Sequence, residues 1–256
     1  MDRVFVSFGP ITIYWYSVMV LMGILAGILV ASIEAKKVRE KEYIDDLIFY
    51  LILFGVIGAR LYYVIFAFKD YKDDFLSIFK VWEGGLAIYG AVIAGLLVII
   101  YYSRKKYKSI TKTADTLAPS LILGQAIGRW GNFFNKEAHG GVVTYEFLKK
   151  LHIPKFIIKG MYIDGVYYHP TFLYESLWCL LGFAILLIIR KLTNRKKGMV
   201  IYSYFIWYGI GRFFIESLRT DSLYLGTIKV SQLVSAMLIM IGIMGIIINI
   251  RKEVKK

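Results

Sequence analysis

A single cysteine, Cys179, in 256 residues excludes an intrachain disulfide framework. Three histidines, none in a His-Glu-x-x-His arrangement, leave little for a zinc site, and no metal is expected. Charge is sparse at 20%, against about 25% in ordinary soluble chains. Acidic residues are the scarcer kind, 18 against 32 Lys and Arg, for a net charge of +14.

What is abundant is apolar surface: 58% of residues are hydrophobic, and the mean hydropathy is +0.59. That content excludes a disordered tail and argues against a water-soluble domain. A helix needs about 20 mostly apolar residues to cross a hydrocarbon core, because lipid offers the backbone no hydrogen-bond partner. Seven runs qualify or nearly do: residues 4–33, with a helix expected from about Ile11, then 47–68, 84–103, 116–135, 171–189, 198–216 and 230–250. The expected fold class is therefore all-α, a polytopic bundle of seven transmembrane helices forming a single integral membrane domain over residues 1–256. The first run is too long for a signal-peptide core and lacks a small-residue cleavage site, so it is expected to be retained.

The excess positive charge lies between the runs. Lys36, Lys37, Arg39 and Lys41 follow the first, Arg104, Lys105, Lys106, Lys108 and Lys112 the third, Arg190, Lys191, Arg195, Lys196 and Lys197 the fifth, and Arg251, Lys252, Lys255 and Lys256 the last. These clusters fall on one face and outweigh the other, which places the amino terminus outside and the carboxyl terminus in the cytoplasm. They read as topology signals and contacts to anionic lipid, and no nucleic acid partner is expected. The longest connection, residues 136–170, is expected to form a small external cap with no separate core, with Asp164-Gly165 as the turn of a short hairpin. No clear internal repeat marks a two-half transporter.

Chemistry is sought where charge meets the membrane, since an ion there is costly and faces the bundle interior. Three arginines follow a small residue: Ala59-Arg60, Gly128-Arg129 and Gly211-Arg212. Arg129 shares a helix face with Asn132, while Gly124 and Gly128 form a notch of small residues. A guanidinium fork, an amide and open backbone suit a phosphate, because lysine cannot copy the planar fork. A structural pair between Arg129 and Glu137 or Glu175 is the alternative. In the sixth run Arg212, Glu216 and Arg219 fall on one stripe, which is either a self-neutralising ladder or a headgroup contact near Asp221. Tyr208, one turn before Arg212, is either packing or part of the site. His169, ahead of Pro170, reads as a cap or supporting residue, and Cys179, among apolar neighbours, as inert. Aromatics such as Tyr14, Trp15 and Tyr16 suit an interfacial belt, although Tyr16 and Tyr89 are also suited to point polar tips inward.

The run Gly128-Arg129-Trp130-Gly131-Asn132-Phe133-Phe134-Asn135-Lys136-Glu137 closely resembles the signature of the bacterial prolipoprotein diacylglyceryl transferases. The resemblance continues, in order, through Trp15-Tyr16, Gly58-Ala59-Arg60, Trp82-Glu83-Gly84-Gly85-Leu86-Ala87-Ile88-Tyr89-Gly90, Asp115, His169-Pro170-Thr171-Phe172-Leu173-Tyr174-Glu175 and Tyr208-Gly209-Ile210-Gly211-Arg212-Phe213-Phe214-Ile215-Glu216. It implies transfer of diacylglyceryl from phosphatidylglycerol to the lipobox cysteine of a preprolipoprotein signal peptide, in the bacterial cytoplasmic (inner) membrane, with no cofactor. By the same resemblance Arg129 is the phosphatidylglycerol-binding arginine and Arg212 the second essential one, and Asn132, Glu137, Gly140, Tyr16 and Tyr208 match positions used in or around the site. From the residues themselves, Glu137 and Tyr89 are the catalytic candidates for a base, and Arg219 and His169 join the expected substrate-binding residues. Some members carry histidine where this chain has Tyr89, so a scheme needing an imidazole there does not transfer. The rival reading is a membrane transporter of an anionic lipid or solute, with no covalent chemistry.

Overall fold

A computed structural model describes residues 3–9, 11–72 and 74–254; Lys255 and Lys256 of the last basic cluster lie outside the described residues. The chain is mostly helical. Seven long helices cover the seven apolar runs: α1 (Trp15–Lys37), α2 (Lys41–Phe66), α3 (Ile88–Lys105), α4 (Ile110–Asn135), then α7 (Thr171–Leu192), α8 (Met199–Leu218) and α9 (Val230–Val254). Between α4 and α7 lie the short helices α5 (Tyr145–Lys150) and α6 (Lys155–Gly160). Five of the long helices, α1, α2, α3, α7 and α9, are long and apolar enough to cross a membrane by length and composition. Leucines, isoleucines and phenylalanines along them stand exposed, Leu25 at 56% and Phe66 at 75%, as lipid contact requires and water does not favour.

One expectation is corrected at the start. The first helix begins at Trp15, because residues before it pair as an antiparallel hairpin, β1 (Val4–Phe8) with β2 (Ile11–Tyr14), in which Phe8 faces Ile11 across the turn. Val4, Val6, Ile11, Thr12 and Ile13 are β-branched, and the turn carries Gly9 at φ 56°. An apolar run with this composition reads equally as helix or strand until its turn is recognised.

The contacts divide the chain into two compact units, one of Met1–Ala31 with Asp115–Lys256 and the other of Ser32–Ala114. In the first, Ala118, Ile122 and Ala126 of α4, Cys179 and Leu186 of α7, and Val200 and Tyr204 of α8 form one buried cluster. Gly23 of α1 lies against the Gly124 backbone so closely that a Cβ would sit 3.0 Å from the Gly124 carbonyl oxygen. Asp115 fastens the start of α8: its carboxylate accepts N–H bonds from Gly198 (2.5 Å), Val200 (3.1 Å) and Ile201 (2.8 Å). The otherwise unpaired amides of a helix start are thus satisfied from a different helix. Trp178 and Trp207 stack at 4.2 Å and exchange indole-to-carbonyl bonds of 2.9 Å, locking α7 to α8.

The segment between α4 and α7 is built from α5, α6 and three short strands, β3 (Val142–Val143), β4 (Tyr162–Ile163) and β5 (Val166–Tyr168), in the order β3-β5-β4. The expected hairpin is present: Ile163 pairs with Val166 around Asp164 and Gly165, both at positive φ. Leu148, Ile153, Ile157, Ile158 and Met161 pack with Phe133 of α4 and Phe172 of α7, so this segment's apolar side chains continue the helix ends. A last hairpin, β6 (Tyr224–Leu225) with β7 (Ile228–Lys229), joins α8 to α9.

In the second unit α2 packs on α3 through Gly58, where a Cβ would lie 2.7 Å from the Gly90 carbonyl oxygen. Arg60 is buried, and its guanidinium donates to the carbonyls of Ser77 (2.6 Å), Ile78 (2.8 Å), Gly84 (2.6 Å) and Gly85 (3.1 Å) while lying 5.1 Å over the Tyr71 ring. This arginine holds the loop ahead of α3 in shape; its charge is spent on peptide dipoles.

Candidate functional site

The first unit gathers four charged side chains from three helices. Glu175, in the second turn of α7, stands between Arg129 of α4 and Arg212 of α8: Oε2 meets Nε of Arg129, and Oε1 accepts from Nη1 of Arg212. Arg212 also approaches Glu216 Oε2 at 2.6 Å through Nη2, in a charge contact too bent to be a hydrogen bond. The side chain of Arg129 is 23% exposed and that of Arg212 15%, against 7% for Glu175 and 2% for Glu216. Two cations and two anions make the cluster formally neutral, with the arginines on its accessible side.

Of the two carboxylates weighed as partners of Arg129, Glu175 takes the role. Glu137 instead lies past the end of α4, where its Oε1 accepts from the amides of Asn132 (3.0 Å) and Asn135 (3.3 Å). The glycine notch also separates into two functions. Gly124 is the contact with α1, whereas a Cβ on Gly128 would meet nothing within 4 Å, so Gly128 faces open space. Gly211, ahead of Arg212, admits α7, since a Cβ there would lie 2.2 Å from Trp178 Nε1.

Tyr16 reaches this region from α1. Its ring covers Gly131, where a Cβ would lie 2.8 Å from Cδ2, and its hydroxyl is within electrostatic range of Glu137 and Arg129. Trp15 stacks on Phe134 at 4.8 Å and fixes that placement. Tyr208 lies beside Arg129, with its ring stacked on Tyr204 at 5.7 Å, and Gln125, one turn before Arg129, donates to the Tyr204 hydroxyl at 3.0 Å.

Arg219 departs from the ladder the spacing suggests. It ends α8 in extended conformation and forms a two-pronged pair with Asp221 at 2.9 and 2.8 Å. Its hydrogen bonds hold the Asp221 carboxyl below the usual range. Gly140 sits where three backbones meet: it pairs with Arg219, its N–H donates to the His169 carbonyl at 3.0 Å, and a Cβ would lie 2.6 Å from His169 Cβ and 2.9 Å from the Leu218 oxygen. His169 precedes Pro170, the residue at the N-cap of α7, with Nδ1 3.3 Å from the Tyr174 hydroxyl. Burial pushes its imidazole below its usual pKa, which favours the neutral ring. Tyr89, half exposed in the first turn of α3, belongs to the second unit and lies 6.3 Å from the Tyr62 ring.

Sequence reasoning gave no role to Lys229. Its ammonium donates to the carbonyls of Glu216 (2.7 Å) and Arg219 (3.0 Å), capping the C-terminal end of α8. A lysine immediately before an apolar run was the available signal. Glu175 was one of the two carboxylates offered to Arg129; its simultaneous contact with Arg212 was hidden, because α7 and α8 meet there only through packing.

Together these features define a multi-pass membrane protein whose charged centre is an arginine–carboxylate cluster. A family profile described as prolipoprotein diacylglyceryl transferase matches residues 3–248, and the chain belongs to that family. Among similar proteins, one from Listeria innocua serovar 6a is 51% identical over 249 residues, covering 97% of this chain and 89% of its own. One from Geobacillus kaustophilus is 50% identical, covering 95% and 90%, and one from Halalkalibacterium halodurans 49%, covering 93% and 83%. All three are named phosphatidylglycerol–prolipoprotein diacylglyceryl transferase, names that favour covalent transfer over transport.

Proposed function

We propose that this protein transfers the diacylglyceryl group of phosphatidylglycerol to the lipobox cysteine thiol of a preprolipoprotein, forming a thioether and releasing glycerol phosphate. The observation that carries the reading is similarity at about half identity over nearly the whole chain to transferases so named, in a chain that brings Arg129 and Arg212 onto one carboxylate.

In this reading Arg129 and Arg212, the two more exposed members of the cluster, grip the headgroup phosphate. The thiol has an ordinary pKa of about 8.5, and the guanidinium groups favour its thiolate. Sulfur attacks the glyceryl carbon, the carbon–oxygen bond to phosphate breaks, and the electron pair leaves with the phosphate. The same arginines stabilise that developing charge. The thiol proton passes to a base, for which Glu137 and Tyr89 are the two candidates. Asn132 orients Glu137, Tyr16 and Tyr208 flank Arg129, and Gly140, His169 and Arg219, which meet at one backbone junction, complete the substrate-binding set.

The wider frame is part of the same proposal: one integral membrane domain of seven spans in the bacterial cytoplasmic membrane, amino terminus outside, with residues 136–170 as an external cap. The seven long helices and the basic clusters support it. The test offers purified protein phosphatidylglycerol and a lipobox peptide in detergent. A mass gain of one diacylglyceryl on the peptide cysteine is expected; lipid or solute flux from vesicles with an unmodified peptide would favour transport instead.

A further inference from the structure

Glu175 touches both arginines, which come from different helices and would otherwise repel one another. It is nearly buried, at 7% exposure of the side chain, while Arg129 at 23% is the most exposed member of the cluster. The proposed reaction makes this counter-charge matter in a specific way. The phosphodiester of phosphatidylglycerol carries one negative charge, whereas a phosphate monoester carries about 1.5 to 2 at pH 7, its second pKa being about 6. The product is therefore more strongly attracted to a pair of guanidinium groups than the substrate is. An arginine pair without an intervening carboxylate would hold glycerol phosphate after transfer.

We propose that Glu175 is a positioning residue for Arg129 and Arg212, and the counter-charge that lets the more highly charged product leave. The inference rests on the transferase reading for its product, but its geometry stands independently. Glu175 spans the two guanidinium groups with one oxygen on each, so it sets their separation. Its charge keeps the cluster neutral until lipid arrives. Shortening the side chain by one methylene, about 1.5 Å, removes the span and keeps the charge. Replacing it with glutamine keeps the length and removes the charge.

The experiment measures kcat, KM for phosphatidylglycerol and inhibition by glycerol phosphate for the full-length protein and for Glu175→Gln and Glu175→Asp. Glu175→Gln is expected to bind glycerol phosphate about tenfold more tightly. Its kcat is expected to fall while KM falls with it, and inhibition to strengthen further as pH rises through about 6. Glu175→Asp is expected to raise KM several-fold without tightening product inhibition. Unchanged glycerol phosphate inhibition in the glutamine variant would overturn the counter-charge role. Unchanged KM in the aspartate variant would overturn the positioning role, and it reads out even if the glutamine variant does not fold. Direct binding of glycerol phosphate, followed by native mass spectrometry, separates this inference from the function itself. Wild-type protein that forms no thioether overturns the transferase reading, while the binding comparison still decides what Glu175 does.

Discussion

Replacing Arg129 gives the sharpest test of how the cluster works. Its guanidinium presents Nε to Glu175 and the side chain is 23% exposed, so truncation removes an ion-pair partner and, on the proposed reading, the fork that grips the headgroup. Loss of one donor aimed at developing charge costs about 10²–10³ in rate. Loss of ground-state hydrogen bonds to a charged headgroup adds about 1.5–3 kcal/mol, roughly another tenfold or more. Arg129→Ala should therefore lower kcat/KM by at least about 10³-fold. It also leaves the nearly buried Glu175 to Arg212 alone, so a lower melting temperature in detergent should accompany the loss. Arg129→Lys preserves charge but presents a single point in place of a planar fork, and should recover less than about a tenth of the activity. The assay is mass spectrometry of a lipobox peptide incubated with phosphatidylglycerol. A fully active lysine variant would refute the two-pronged grip.

Other perturbations address the scaffold around this centre. Gly140→Ala forces a Cβ to within 2.9 Å of the Leu218 carbonyl oxygen, so the junction of Arg219, His169 and α7 must shift; transfer should be lost together with several degrees of melting temperature. Asp115→Ala leaves three amides at the start of α8 without their acceptor and should destabilise the protein by about 1–3 kcal/mol, read by thermal unfolding. Asp221 has its folded pKa depressed by the Arg219 hydrogen bonds, so its stabilisation is complete above the ordinary carboxyl value of about 3.9 and is lost as pH falls through the lowered value. The difference in melting temperature between wild type and Asp221→Asn should be constant above about pH 4 and shrink below it; a difference growing with acidity would contradict the pairing.

The long helices were legible in sequence because the bilayer demands length and apolarity together: each of the seven runs contains one long helix, five of them long and apolar enough to cross a membrane, although the first run opens with a hairpin. Their polar contents were legible for the same reason: a charge within an apolar run is conspicuous. Tertiary choices were not. Spacing placed Gly124 and Gly128 on one face, yet only packing shows that the first meets α1 and the second borders open space. Arg129 had two plausible carboxylates, and the crossing of α4 with α7 selects Glu175. By spacing Arg219 continues a helical stripe, but α8 ends there and Asp221 captures the side chain. The opening hairpin was hidden because hydrophobicity alone does not distinguish strand from helix in residues 4–14.

A structure of the protein with phosphatidylglycerol bound would put the account to its most direct test. The headgroup phosphate is expected within hydrogen-bond distance of both Arg129 and Arg212, with Glu175 still behind them. A headgroup seated elsewhere, with both guanidinium groups turned wholly onto Glu175 and Glu216, would contradict it.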